Sequence, residues 1–240
     1  MLPKRHKLGR PPIDRRQIID AILYVIKGGI QWRLMPADFP AWKTVYHIFR
    51  QWARNHTWEA INARLRAQVR QEAGKGCRPT AAILDSQSVK SDGHGGVVGY
   101  DAAKRINGRK RHLLVDTLGL LLGIHVTPAN ATERDGAQGL LERTLAWFSW
   151  LRLLWVDGGY CGPAFANWVK SLRPKLQVQV VKRSDAVQGF KILPCRWVVE
   201  RTFGWLMRHR RLVRDYEATP SSAEAWAYIA MIRIQLRRLA

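Results

Sequence analysis

Three carboxylates stand in a fixed order along the 240-residue sequence. Asp85 closes the apolar run "TAAILDS", Asp157 closes the strand-like part of "LRLLWVDGGYCG", and Glu200 lies inside "CRWVVERTFGWL". Each alone has an ordinary reading: the aspartates cap or turn the chain after a strand, and Glu200 pairs with Arg196 four residues earlier. Together they admit a second one. If the first and fourth strands are neighbours, both aspartates emerge on one sheet edge, and a carboxylate from a packed helix completes a cluster. Three such groups repel one another unless a divalent cation sits between them, and hard oxygen ligands select Mg²⁺ or Mn²⁺. Two ions about 3.5–4 Å apart can activate an attacking oxygen and stabilise a leaving one during phosphodiester displacement.

The elements that must position these acids follow from hydrophobic period. Ile18, Ile19, Ile22, Leu23 and Ile26 recur at helical spacing over 15–27, and Gly28–Gly29 ends that helix. A second helical pattern runs from Ala41 to Ile61 with Trp42, Val45, Ile48, Phe49 and Trp52, and carries Lys43, His47, Arg50 and Arg54 largely elsewhere. Two helices joined by a turn, the second basic, resemble a helix-turn-helix as well as a plain bundle. Beyond a linker at 72–79 the period changes. Strands are predicted at Thr80–Ser86, at "RKRHLLVDT", at "LGLLLGIHVTPA", at 152–156 and at Gln177–Val181. Helices are predicted at Glu133–Phe148, 162–171, 194–212 and 221–239. The expectation is a basic arm over 1–14, a helical domain over 15–71, and over 80–240 a mixed α/β sheet covered by helices.

Charge narrows the partner. Forty Lys and Arg against eighteen Asp and Glu give a formal +22, a surplus expected of a polyanion-binding surface. Arg10, within "GRPP", reads either as a minor-groove arm or as a disordered basic tail. "KRINGRKR" contributes Lys104, Arg105, Arg109, Lys110 and Arg111 just before a strand, with a tight turn expected at Gly108. Arg208 and Arg211 continue the Glu200 helix. These cations, with Lys43 and Arg196, are candidate DNA contacts; the competing reading is a solvated, edge-protecting charge run. Cys77, Cys161 and Cys195 are odd in number and lack a CxxC spacing, which points to a reduced, intracellular compartment. No apolar stretch reads as a signal peptide or membrane span. His94, His112 and His125 lack paired ligand spacing. Asp116 before a strand turn and Asp135 in a first helical turn have structural explanations.

Five segments, "ILDSQSVK", "GYDAAKRINGRKRHLLVDTLGLLLG", "TPANATERDGA", "WVDGGY" and "WVVERTFGWLMRHRRLVRDYE", occur in the order of the DDE transposases of bacterial insertion sequences, specifically the insertion sequence five group, which the chain resembles over nearly its whole length. The resemblance implies an RNase H-like catalytic domain in which Asp85, Asp157 and Glu200 hold two Mg²⁺ or Mn²⁺ ions. It implies cleavage at terminal inverted repeats, joining of the 3′ hydroxyls to target DNA, and at least a dimer on DNA. It also places Tyr100, Asp101 and Lys104 in a family motif. Around the glutamate the wider family shows Tyr-x2-Arg-x3-Glu-x6-Lys; Arg196 and Glu200 match, whereas Leu193 and Met207 stand where the tyrosine and lysine would be. Members also begin with a further helical segment ahead of "GRPP", which leaves a shortened copy as an alternative. Two other readings keep the same residues: a DNA-binding-only protein, and a generic RNase H-like nuclease that cuts without joining ends.

Overall fold

Asp14 opens the first helix, α1 (Arg15–Gly28), by accepting the backbone N–H of Arg16 at 3.1 Å, as an N-cap acid does. Gly29 closes it at φ 72°, a left-handed conformation that glycine adopts without a Cβ penalty. The structure is a computed structural model describing residues 13–92, 96–181 and 196–240. The second helical pattern is two helices rather than one, α2 (Trp42–Arg54) and α3 (Thr57–Glu72). The chain breaks at Asn55–His56, where His56 takes φ 57°. Asn and His enter that region more readily than most residues, so the apolar period continues across a break it does not reveal.

Six strands form one mixed sheet: β1 (Ala81–Lys90), β2 (Gly99–Asp101), β3 (Ile106–Asp116), β4 (Leu121–Pro128), β5 (Leu153–Val156) and β6 (Gln177–Val180). Their order is β2-β3-β1-β5-β6, with β4 also on β3. β3 pairs antiparallel with β1, β2 and β4, while β1, β5 and β6 run parallel. One face carries α4 (Glu133–Thr144) and α5 (Pro163–Leu172) over Leu84, Leu114, Leu154 and Val156. The other carries α6 (Arg196–Met207), α7 (Arg210–Val213) and α8 (Pro220–Leu239) over Ile83, Leu113, Val115 and Ile124. This is the RNase H-like mixed α/β fold expected.

The N-terminal helices join that second face. Ile22, Phe49 and Leu65 belong to the same buried cluster as Ile83 and Trp226. The rings of Phe49 and Trp226 stack with centroids 4.5 Å apart, and Trp32 lies 5.5 Å from Trp226. Hydrophobic burial therefore continues across the division drawn at 72–79.

Three boundaries differ from the sequence reading. The first strand does not stop near Asp85; it continues to Lys90 because β3 pairs with it residue for residue, from Ala82 with Asp116 to Lys90 with Gly108. The helix expected over 194–212 divides at Arg208–His209, whose N–H groups bond three residues back to Trp205 and Leu206. Gly108 is not a turn residue but a strand residue in close approach, since a Cβ there would lie 2.0 Å from the Val89 carbonyl. The turn is at 102–105, with Arg105 at φ 52°.

Candidate active site

Parallel pairing sets the two aspartates side by side. Ala81, Ala82 and Ile83 pair with Leu153, Leu154 and Trp155, each partner 72 residues on, and Asp85 and Asp157 are separated by the same 72 (157 − 85). Adjacent strands lie about 4.8 Å apart, so the two acids stand level at the place where β5 ends and β1 continues. Side-chain alternation puts Asp85 on the face of Ile83, the face that α6 covers. Each carboxylate is oriented by its own backbone: Asp85 Oδ1 accepts the Ser86 N–H at 2.7 Å, and Asp157 Oδ1 accepts the Gly159 N–H at 2.9 Å. Both residues are half-buried.

Glu200 comes from α6, which buries Val198, Val199, Phe203 and Leu206 in the cluster containing Ile83. Its own side chain is exposed, so the helix carries the acid without a burial cost. Asp85 thus lies on the face of the sheet that carries α6, the helix bearing Glu200. Among the described residues, however, no three His, Cys, Asp or Glu side chains are gathered closely enough to hold a metal ion.

A fourth carboxylate, Glu133, lies beside the pair and was not singled out in the sequence. Its Oε1 accepts the Ser86 hydroxyl at 3.1 Å and is 3.7 Å from Lys104 Nζ. A Cβ on Gly159 would stand 2.4 Å from its Oε2. Glu133 therefore touches both residues whose N–H groups hold the aspartates. Thr132 caps α4 and accepts from Asp135 N at 3.1 Å, so Glu133 reads locally as an acid in a helix's first turn. That local sufficiency concealed it. Tyr160 was missed too: its hydroxyl is buried with no hydrogen-bond partner among the described residues. Burial first, then the charges of Glu133, Asp85 and Asp157, push its ionisation well above the ordinary tyrosine range.

The predicted DNA contacts separate into two groups. Lys43, Lys104, Arg105 and Arg208 are exposed. Arg109, Lys110, Arg111 and Arg211 are buried, contrary to the expectation that the cluster faces phosphates. Arg109 Nη1 lies 3.3 Å from Asp215 and donates to the Glu217 carbonyl at 2.7 Å. Lys110 Nζ donates to Ala131 O at 2.7 Å and sits 3.7 Å from Asp101. Arg111 donates to Leu212 O at 2.8 Å, and burial lowers its pKa to about 10. Arg211 forks onto Glu217 at 2.6 and 2.9 Å. Alternation along β3 would leave every second cation outside, but the sheet is covered on both faces, so these cations meet carbonyls and carboxylates instead. Arg10, His94 and Leu193 lie outside the described residues, as does the Arg196 side chain. Met207 lines an open groove of about 520 Å³ shared with Lys90 and Arg214, so cations stand around the position where the wider family carries lysine.

The remaining titratable groups have structural roles. Asp116 binds Arg70 at 2.6 Å in a buried pair and accepts from Leu118 and Leu120 N–H. Buried His112 meets Thr127 Oγ1 at 3.0 Å; desolvation chiefly, then His125 and two lysines, lower its pKa to about 3. His125 faces Glu224 at 3.4 Å. No helix among the described residues is long and apolar enough to cross a membrane.

Comparison with known proteins points to a transposase family. Residues 76–234 match the transposase DDE domain, and residues 1–62 match the IS4/5-family transposase model. A protein of 16.2 kDa from insertion element IS402 of Burkholderia cepacia is 31% identical over 100 residues, covering 40% of this chain and 67% of that protein. A sheet that sets Asp85 level with Asp157, under a helix bearing Glu200, is thus found in a chain that belongs to the DDE transposases of IS4/5-type insertion sequences.

Proposed function

We propose that the chain cuts the ends of a mobile element and joins the exposed 3′ hydroxyls to target DNA, with Asp85, Asp157 and Glu200 as the acid triad. The observation that carries this reading is the shared 72-residue offset, which makes two oxygen-donor carboxylates immediate neighbours at the end of a strand. Their chemistry suits a hard divalent cation. The buried Tyr160 hydroxyl, lacking a partner among the described residues, supports a polar occupant nearby. Asp85 and Asp157 would hold Mg²⁺ or Mn²⁺, and Glu200 would close in from α6 to complete the shell. A bound ion would supply charge stabilisation at the phosphoryl oxygens and a more acidic attacking oxygen.

In the first step a water oxygen bonds to phosphorus, the P–O3′ bond breaks, and the water's proton passes to solvent while the leaving 3′ oxygen is protonated. In the second, that 3′ hydroxyl oxygen bonds to a target phosphorus, its proton is released, and the target's own P–O3′ bond breaks. The hydrolysis consumes one phosphodiester and leaves a 5′ phosphate, the transesterification conserves the count, and no protein–DNA bond forms. The residues' task is to orient carboxylates before DNA arrives, which the Ser86 and Gly159 N–H groups do for the aspartates. Exposed Lys43, Lys104, Arg105 and Arg208 would hold phosphates, within a complex of at least two chains because two ends join one target. Single Ala substitutions at Asp85, Asp157 and Glu200 are each expected to abolish cleavage of repeat-ended DNA while sparing DNA binding. Cleavage retained in all three variants would overturn the triad.

A further inference from the structure

We propose that Lys104, delivered by the β2–β3 hairpin and parked on Glu133, is the side chain that grips the phosphodiester being cut. This rests on the triad reading and assigns a specific contact within it.

The hairpin turn is exposed at its tip and fixed at its base. Asp101 Oδ1 accepts the Lys104 N–H at 3.1 Å, and Oδ2 accepts the Ser88 hydroxyl of β1 at 2.6 Å. Lys110 Nζ lies 3.7 Å from the same carboxylate. The Ser88 hydrogen bond chiefly, aided by the Lys104 N–H and the charges of Lys110 and Lys104 and opposed by burial, holds Asp101 below the usual carboxylate range. A buried acid with a lowered pKa thus ties the turn to the strand that carries Asp85. A loop tied at its base presents its side chains at a fixed place.

That place is the acid pair. Lys104 Nζ is 3.7 Å from Glu133 Oε1, the oxygen that also accepts the Ser86 hydroxyl. Ser86 and Gly159 hold Asp85 and Asp157 by their N–H groups, and Glu133 adjoins both. The ammonium is therefore paired with a carboxylate that adjoins the residues one and two positions after Asp85 and Asp157. Its side chain is 41% exposed, and an exposed lysine–carboxylate pair is weak, so a phosphate oxygen can replace Glu133 at small cost. Three other cations of the same run cannot do this: Arg109, Lys110 and Arg111 are buried against carbonyls and carboxylates, and for exposed Arg105 no contact with Glu133 is seen among the described residues.

The test uses the full chain and a duplex ending in the element's terminal repeat. The duplex is made with a natural scissile phosphodiester or with one uncharged methylphosphonate there. For Lys104→Gln the cleavage rate at saturating DNA should fall about tenfold or more, as loss of a charge-stabilising donor does. Lys104→Arg should recover most of it, and the thermal midpoint should stay put. The methylphosphonate should weaken binding by the wild type and leave Lys104→Gln no weaker than on natural DNA. An unchanged saturating rate, with only affinity and salt slope altered, would overturn the proposal, as would a methylphosphonate penalty equal in both proteins. If Asp157→Asn still cuts, the triad itself is wrong; if Asp157→Asn is inert while Lys104→Gln cuts normally, only the Lys104 assignment fails.

Discussion

At the scale of single residues, the site depends on groups placed by backbone rather than by long side chains. Asp85 and Asp157 are held by their neighbours' N–H groups, and Glu133 fits against Gly159 because that residue has no Cβ. A second glycine shows the same dependence in the core. A Cβ at Gly136 would stand 2.0 Å from His112 Nε2, backed by a buried ring that cannot retreat. Gly136→Ala should therefore lower stability by about 1–3 kcal/mol, the usual cost of overpacking, read from the urea midpoint. His112 also sets a pH dependence. Its folded pKa, about 3, lies below its ordinary 6.5, so the unfolded chain binds its proton first and stability falls as pH drops from 6.5 towards 3. Between pH 6.5 and 5, His112→Gln should lose less stability than the wild type; parallel losses would contradict a neutral buried imidazole.

At the scale of elements, most helices and strands were legible because apolar period and turn residues agreed, whereas the strand order came only from the sheet. The break at Asn55–His56 was hidden because Trp52 and Trp58 both lie in the core, so the apolar pattern runs on through it. The full length of β1 was hidden because its second half, Ser86–Lys90, is polar and becomes a strand only through pairing with β3. The same pairing explains the misplaced cations: "KRINGRKR" looks like a surface cluster in sequence, and coverage of β3 on both faces buries three of its members. Asp116 was set apart from the three candidate acids by its position at a turn, though its partner Arg70, 46 residues away on α3, has no local signal. Asp116→Ala would strand that guanidinium in a buried site, and a loss of about 3–5 kcal/mol is expected from denaturant unfolding. A change below about 1 kcal/mol would mean the pair does not join α3 to the sheet as described.

At the scale of the whole molecule, the surplus of 22 positive charges does two kinds of work. Some cations hold the fold together from within, and others remain for DNA. These can be told apart by salt dependence. Arg208→Ala or Lys43→Ala should each reduce the slope of log affinity against log salt by about 0.9 with little change in stability, measured by DNA binding across a salt series. Arg109→Ala should instead destabilise the fold, since it leaves Asp215 buried beside a lost partner. The sequence offered the sign of the partner's charge and three candidate acids; only the sheet register tells that two of them are level. The most direct test of that claim is cleavage of labelled terminal-repeat DNA by the wild type and by Asp157→Asn, each with Mg²⁺, with Mn²⁺ and with EDTA. The account expects nicking at the repeat ends by the wild type in either metal, and none in EDTA or in the mutant. Binding without cutting by the wild type in both metals, or cutting that survives Asp157→Asn, would contradict it.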